Sequence, residues 1–176
     1  MSGLPVPVPY SWSVADTFTA AIGNGIRDAL NFLLNPPIFV GIQATTQSMP
    51  NQNWVTITFD STVVDTYGGH SNSVNNTRYT APLPGWYTVC GVFATSSNPT
   101  SIRAARILLN GTAVPGHENY AVALNGFETS SVTPTRDIYL NAGDYVELSG
   151  WQGCGSALGT NIGDIRSALY CRYSHV

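Results

Sequence analysis

The segment that most constrains the fold of this chain is the apolar run at residues 86–95, which follows a tight turn. Pro82, Pro84 and Gly85 favour that turn because proline fixes φ and glycine frees it. Alternate side chains of a strand point to opposite faces, and both sets here are largely apolar. They are Tyr87, Val89, Gly91 and Phe93 on one face, and Trp86, Thr88, Cys90, Val92 and Ala94 on the other. The segment therefore predicts a central strand, with a second layer against one face and another chain or element against the other.

Composition narrows the class of protein. The 176 residues suffice for one domain with a core and an appendage. Only 10% of the residues are charged and lysine is absent, whereas soluble domains average about 25% charged residues. The surface is therefore either rich in Ser, Thr, Asn, Gln and Gly, or covered by partners. A net charge of −3 with scattered arginines argues against nucleic-acid binding.

Two further segment types are missing from the sequence. No apolar run reaches the roughly 18 residues of a membrane span, so we expect no membrane partner. The first nine residues lack the basic and apolar regions of a signal peptide. We therefore expect synthesis in a cytoplasm.

Residues 1–18 predict an extended arm. Proline stands at positions 5, 7 and 9, alternating with valine, and this pattern excludes a helix and favours polyproline II. Tyr10 and Trp12 follow. Aromatic residues at the end of such an arm favour contact with a neighbouring subunit. The alternative is that the arm is a frayed terminus without a packing partner.

Residues 19–36 predict one short α-helix that acts as an anchor. Thr19 or Thr17 caps its start, and Asn35-Pro36-Pro37 ends it because a residue before proline avoids helical φ/ψ. Its apolar positions are spaced four, three and four residues apart, like a coiled-coil seam. They are Ile22, Ile26, Ala29 and Leu33. The helix either packs on its own β domain or forms a bundle with copies of itself. Deletion of residues 1–36 is predicted to leave a folded β domain.

Residues 37–176 predict an all-β jelly-roll sandwich of about eight to ten strands. Short β-forming segments alternate with turn residues, and Asn110-Gly111 is a strong hairpin signal. The predicted strands are residues 38–45, 54–59, 78–80, 86–95, 101–109, 120–124, 127–140, 145–151 and 167–173. Residues 60–76 and 150–163 are predicted to be loops.

Several motifs of this region, in their order and spacing, resemble the complement-q/tumour-necrosis-factor-like jelly roll. They are Phe59-Asp60, Gly68-Gly69-His70, Tyr79-Thr80-Ala81-Pro82, Pro84-Gly85-Trp86-Tyr87, Ile107-Leu108-Leu109-Asn110-Gly111, Leu140-Asn141-Ala142-Gly143-Asp144-Tyr145-Val146 and Ser167-Ala168-Leu169-Tyr170. The resemblance implies a homotrimer, with jelly rolls side by side about a threefold axis, and a structural or adhesive role. Some animal members bind calcium near the trimer apex, but no matching aspartate cluster occurs here, so no metal is expected.

The N-terminal part is similar to a segment that precedes such domains in tailed phages of actinobacteria. The matching pieces are Thr19-Ala20-Ala21, Ile26-Arg27-Asp28 and Asn31-Phe32-Leu33-Leu34-Asn35-Pro36-Pro37. In those phages the segment belongs to tail or virion-surface proteins. The resemblance therefore implies that the chain is located in the virion and contacts other virion proteins through residues 1–36.

No constellation in the sequence indicates catalysis or a cofactor. His70, His117 and His175 are far apart and lie in no ligand or nucleophile motif. No Gly-x-Ser-x-Gly elbow occurs, and Asp144 sits in a Gly-Asp turn where its side chain can accept hydrogen bonds from backbone amides. The three cysteines show no metal spacing and are expected to be reduced and buried, although the sequence leaves one disulfide open.

Three functions remain for this chain. The first is a homotrimeric minor tail or fibre-like virion protein with a role in host-surface adhesion. The second is a capsid decoration protein that stabilises the shell. The third is a carbohydrate-binding module that contacts host cell-wall glycans through Tyr67, Tyr120 or Trp151, although these aromatics could instead belong to the core or a trimer interface.

Overall fold

The computed structural model describes Ser11, Ser13 and residues 17–176. Tyr10, Trp12 and most of the predicted arm lie outside these residues. Within them the chain forms one helix and thirteen strands. These are α1 (Ala20–Leu34), β1 (Ile38–Ile42), β2 (Ser48–Met49), β3 (Val55–Thr56), β4 (Ser61–Asp65), β5 (Arg78–Thr80), β6 (Gly85–Thr95), β7 (Ile102–Leu109), β8 (Thr112–Val122), β9 (Thr129–Val132), β10 (Arg136–Leu140), β11 (Tyr145–Gln152), β12 (Leu158–Gly159) and β13 (Ala168–His175).

The strands of the described residues form two large sheets and one small one. The six-stranded sheet has the order β10-β6-β13-β1-β4, with β9 also pairing with β6. The five-stranded sheet has the order β3-β11-β7-β8, with β5 also pairing with β11, and β12 pairs with β2. All paired strands are antiparallel. The prediction of an all-β sandwich preceded by one helix is confirmed.

Element boundaries differ from the prediction in several places. Three strands are only two residues long, and the other ten match the upper end of the predicted number. The region predicted as a loop over residues 60–76 begins with strand β4, and β12 lies inside the loop predicted at 150–163. The segment 127–140 splits into β9 and β10 around Pro134, which cannot donate a backbone hydrogen bond. Local β propensity does not show which polar segment pairs with a distant strand.

The core lies between the two large sheets. Strand β6 alternates as predicted, with Tyr87, Val89 and Phe93 fully buried on its inner face. The sheets approach so closely that a Cβ on Gly150 of β11 would lie 2.5 Å from the ring of Phe93. Glycine at that position therefore lets the ring of one sheet pack on the backbone of the other.

Helix α1 begins and ends where the sequence predicted. The Thr19 hydroxyl accepts a hydrogen bond from the amide of Ile22 at 3.3 Å, and Asn35 is the C-cap. One residue of the helix, Phe32, is buried, and its ring meets Tyr173 of β13 edge-on at 5.2 Å between centroids. The helix is therefore anchored to the sandwich by a shared aromatic contact, so a cut at residue 36 would uncover the ring of Tyr173.

A buried arginine holds the loop between β6 and β7. Arg103 is fully buried, and its Nε donates to the hydroxyl of Thr95 at 3.0 Å. Its two terminal nitrogens donate to the carbonyls of Asn98, Thr100 and Ile102, each at 3.0 Å. Burial lowers the pKa of Arg103, but a guanidinium stays charged at neutral pH. The carbonyl oxygens of the loop thus solvate a buried positive charge.

The three cysteines are free thiols. Cys171 is buried as predicted, and burial raises the pKa of its thiol well above the usual value, whereas Cys90 and Cys154 are only half-buried, against the prediction. Cys90 lies opposite Tyr170, while Cys171 lies opposite Val89, so the two thiols point to opposite faces of the sheet. This arrangement explains why these neighbouring cysteines are not bonded to each other.

The buried histidine His117 of β8 predicts an acid-sensitive stability. Its side chain is 1% exposed and its Nδ1 has no hydrogen-bond partner within the described residues. Burial, assisted by the nearby charge of Arg136, lowers the pKa of His117 below the ordinary 6.5. The unfolded chain therefore binds a proton that the folded chain does not, and stability falls as the pH drops below about 6.5. Urea unfolding between pH 7.5 and 5 should show this loss for the native chain.

The control for this prediction is the substitution His117→Gln, which removes the titrating group and keeps a polar side chain. The native chain should lose unfolding free energy relative to the variant as the pH falls from 7 to 5, because only the native chain carries the titrating imidazole. The difference between the two should therefore shrink or change sign. A difference that stays constant over this range would contradict the assignment to His117.

Candidate functional site

The outward surface of the six-stranded sheet carries two adjacent apolar rows. Register places Cys90, Tyr170, Val40 and Val64 side by side across strands β6, β13, β1 and β4. The neighbouring row is Val132, Val92, Ala168 and Ile42. All are half-buried in the single chain except Val132, which is 48% exposed. We call these two rows the apolar face.

An aromatic group lies at one end of the same surface, beyond a polar row of Asp137, Thr88 and Arg172 that separates it from the apolar face. Trp86 meets Tyr139 of β10 edge-on at 5.6 Å and stacks on His175 of β13 at 6.1 Å. Trp86 and Tyr139 remain 38% and 45% exposed. The predicted second apolar side of strand β6 therefore exists, and nothing within the described chain covers it fully.

The predicted seam of α1 also lies largely in solvent. Ile22 and Ala29 are half-buried, while Ile26 and Leu33 are exposed. Leu30 and Leu34 add to the exposed apolar surface of the helix. The structure thus places one helix residue, Phe32, against the β domain and leaves the seam without a full partner among the described residues.

The opposite sheet carries a different surface, which we call the aromatic face: Trp54, Arg106, Glu118, Tyr120 and Trp151. Trp151, Ala104 and Tyr120 lie in register across β11, β7 and β8, and Ser149, Arg106 and Glu118 form the next row. Trp54 immediately precedes β3, and the guanidinium carbon of Arg106 lies 3.9 Å from the centre of its ring. Two of the three aromatics predicted to face a ligand are therefore neighbours.

Charges on the aromatic face act on one another. The hydroxyl of Tyr120 donates a hydrogen bond to Glu118. This bond and the negative charge of Glu118 raise the pKa of Tyr120, while Arg106 acts in the opposite direction. Arg106 and Glu118 are opposite in register, but the described residues contain no ion pair between them within 4 Å. Both groups therefore keep capacity for another partner.

Tyr67, the third predicted aromatic, lies elsewhere. It is half-buried and packs against the hydrophobic core, and burial raises its pKa. The loop that follows is fixed by Asp65, whose carboxylate accepts hydrogen bonds from the amides of Gly68 at 2.9 Å and His70 at 2.9 Å. Gly69 is required because a Cβ there would lie 2.5 Å from the carbonyl oxygen of Thr80.

His70 has a structural position in this loop. Its Nδ1 lies 2.8 Å from the carbonyl oxygen of Arg78, and its Nε2 lies 2.9 Å from that of Phe59. Its ring also packs on Phe39 at 4.7 Å. A groove of about 330 Å³ next to the loop is lined by His70, Arg78 and Pro82. Both ring nitrogens face backbone carbonyls, so His70 connects two chain segments instead of presenting a base to the groove.

The remaining titratable groups form no further site in the described part of the chain. No three His, Cys, Asp or Glu side chains lie together there in a way that could hold a metal ion. Asp144 accepts hydrogen bonds from Asn110 and Asn141, which lower its pKa. Its predicted role in the turn is confirmed.

Among the described residues, no helix has the length and apolar character to cross a bilayer.

Comparison with solved structures identifies the fold. The globular domain of zebrafish complement 1qA matches with a TM-score of 0.55 at 14% identity, over 78% of this chain and 95% of that chain. Murine APRIL, crystallised at pH 5.0, matches with a TM-score of 0.59 at 9% identity, over 78% and 98%. Eiger TNF from S. frugiperda matches with a TM-score of 0.53 at 8% identity, over 78% and 90%. No protein-family model and no curated protein sequence matches. The domain therefore has the complement-q/tumour-necrosis-factor-like jelly-roll fold predicted from its motifs.

The sequence did not reveal three members of the aromatic face. Trp54 and Glu118 stand at positions without a distinctive motif, and Arg106 shares its strand with Arg103. Arg103 and Arg106 are three residues apart in β7, so a regular strand sends them to opposite faces. The odd spacing could therefore have been used for a prediction, because one of two arginines three residues apart on a strand must point away from the core.

Proposed function

We propose that this protein is a homotrimeric, non-catalytic component of a tailed-phage virion that displays its jelly roll on the particle. The observation that carries the proposal is the apolar face, whose two rows of side chains span the middle of the six-stranded sheet. Contiguous apolar surface of this kind is typical of protein interfaces. A second and a third copy of the chain, side by side, would cover it.

The exposed seam of α1 supports the same assembly. Ile26 and Leu33 are 42% and 73% exposed, and three such helices about an axis would bury their seams together. The threefold arrangement itself follows from the resemblance to the complement-q/tumour-necrosis-factor-like family, and the fold is shared with the solved complement and tumour-necrosis-factor structures. The helix, held to the sandwich by Phe32, would then connect the trimer to its particle through residues 1–36.

The virion location rests on the N-terminal resemblance and on composition. A chain with 10% charged residues and no lysine has a surface suited to extensive contact with partner proteins. A minor tail or fibre-like position is the first interpretation, and a capsid decoration protein is the alternative, since both use the same trimer and the same arm.

Immunogold labelling of purified virions with antibodies against the jelly roll tests the location. Gold at the tail supports the tail assignment, and gold spread over the head supports the decoration alternative. Virions without label, when the denatured particle also lacks the chain by mass spectrometry, would contradict a virion role.

A further inference from the structure

The aromatic face combines flat rings with two charged groups that form no ion pair with each other. Tyr120 is 57% exposed, and Trp54 and Trp151 are half-buried. Tyr120 and Trp151 flank Ala104, two strand spacings or about 10 Å apart across the sheet. Rings of this kind offer apolar surface at low conformational cost. The apolar C–H faces of sugar rings can stack on these aromatic rings, in an oligosaccharide that runs across strands β8, β7 and β11.

Arg106 and Glu118 supply the polar half of the face. A guanidinium only donates hydrogen bonds and a carboxylate only accepts them, whereas a sugar hydroxyl does both. Arg106 Nε is buried and has no partner within the described residues, so a ligand would bond the terminal nitrogens of the guanidinium, which lies against the ring of Trp54. Adjacent hydroxyls of one sugar would therefore satisfy both groups at once.

The charges favour a neutral ligand over an acidic one. Arg106 would attract a carboxylate, but Glu118, opposite it in register and bonded to Tyr120, would repel the same group. The binding surface is also the face of the sheet and not its edge, so it offers no free backbone groups for an added peptide strand.

We propose that the aromatic face binds a neutral oligosaccharide of hexose or pentose units. This proposal deepens the adhesive part of the proposed function and rests on it for its biological meaning. The aromatic face lies on the sheet opposite the apolar face, so a trimer that buries the apolar face would leave three copies of the aromatic face accessible.

The test is binding of the full chain to arrays of neutral gluco-, galacto-, manno-, xylo- and arabino-oligosaccharides, with hexuronate oligosaccharides as the acidic arm. Hits are then titrated by tryptophan fluorescence. We expect at least one neutral oligosaccharide to bind and the acidic arm to fail. Tyr120→Ala and Trp151→Ala should each weaken binding at least tenfold, and Glu118→Gln should weaken it as well.

Trp86→Ala is the matched control, because it removes an exposed tryptophan from the other sheet and should keep the affinity per site. The proposal is overturned if no neutral oligosaccharide binds at millimolar concentration, if only acidic ones bind, or if Tyr120→Ala binds like the native chain. Tyr120 is exposed, so this variant decides the test even if Trp151→Ala does not fold. Sedimentation of the same samples reports the trimer independently, so failure of glycan binding and failure of assembly are distinguishable.

Discussion

The substitution Tyr170→Glu is expected to convert the proposed trimer into folded monomers. Tyr170 lies on β13 in the middle of the apolar face, between Cys90 and Val40. A carboxylate buried there without a partner costs about 3–5 kcal/mol by analogy with broken buried ion pairs, which is roughly a hundredfold to several thousandfold in association. In the single chain the side chain is only half-buried. The unfolding free energy of the monomer should therefore change by less than about 1 kcal/mol.

Sedimentation velocity and urea unfolding of the same samples measure the two effects separately. Val122→Glu is the control, since Val122 is 73% exposed on β8 of the other sheet, and this variant should remain trimeric. A Tyr170→Glu protein that sediments like the native chain would exclude the apolar face as the interface. Dissociation of both variants would show that added charge, and not its position, is the cause.

The substitution Arg103→Ala is expected to lower the unfolding free energy by about 3–5 kcal/mol. It removes the donors to three loop carbonyls and to Thr95, and it leaves a cavity where the fully buried side chain lay. Each buried acceptor left without a partner costs about 1–3 kcal/mol, and the lost packing adds to this cost. Urea unfolding at pH 7.5 measures the change.

Arg106→Ala is the matched control, because Arg106 lies three residues further along the same strand and points outward over Trp54. Its loss should cost about 1 kcal/mol, mainly through the cation–π contact. Equal costs for the two variants would contradict the assignment of Arg103 as the residue that holds the loop.

The sandwich was predictable because its strongest segments are periodic and bounded by turn residues. The inner face of β6, the Asn110-Gly111 hairpin and the Asp144 turn are all local signals, and each is present in the structure. The cap at Thr19 was equally local. Strand β4 was missed because its register with β1 comes from long-range pairing, which composition does not encode.

The candidate sites were less predictable because they depend on register between distant strands. Tyr120 and Trp151 are 31 positions apart in sequence, and pairing of both strands with β7 places them on either side of Ala104. Tyr67 has the same aromatic character, yet it packs against the core because its loop is folded back by Asp65. Strand parity showed only that one of Arg103 and Arg106 faces inward. It did not show that Arg103 would be fully buried, because three of its four partners are backbone carbonyls, which no motif marks.

The central proposal is that three copies of the chain assemble and cover one another's apolar faces. The molecular mass of the purified protein in solution tests this proposal most directly. Mass photometry, supported by sedimentation equilibrium at micromolar concentration, should give three chain masses for the native protein. A single chain mass under these conditions would contradict the trimer and the assembled role inferred from it.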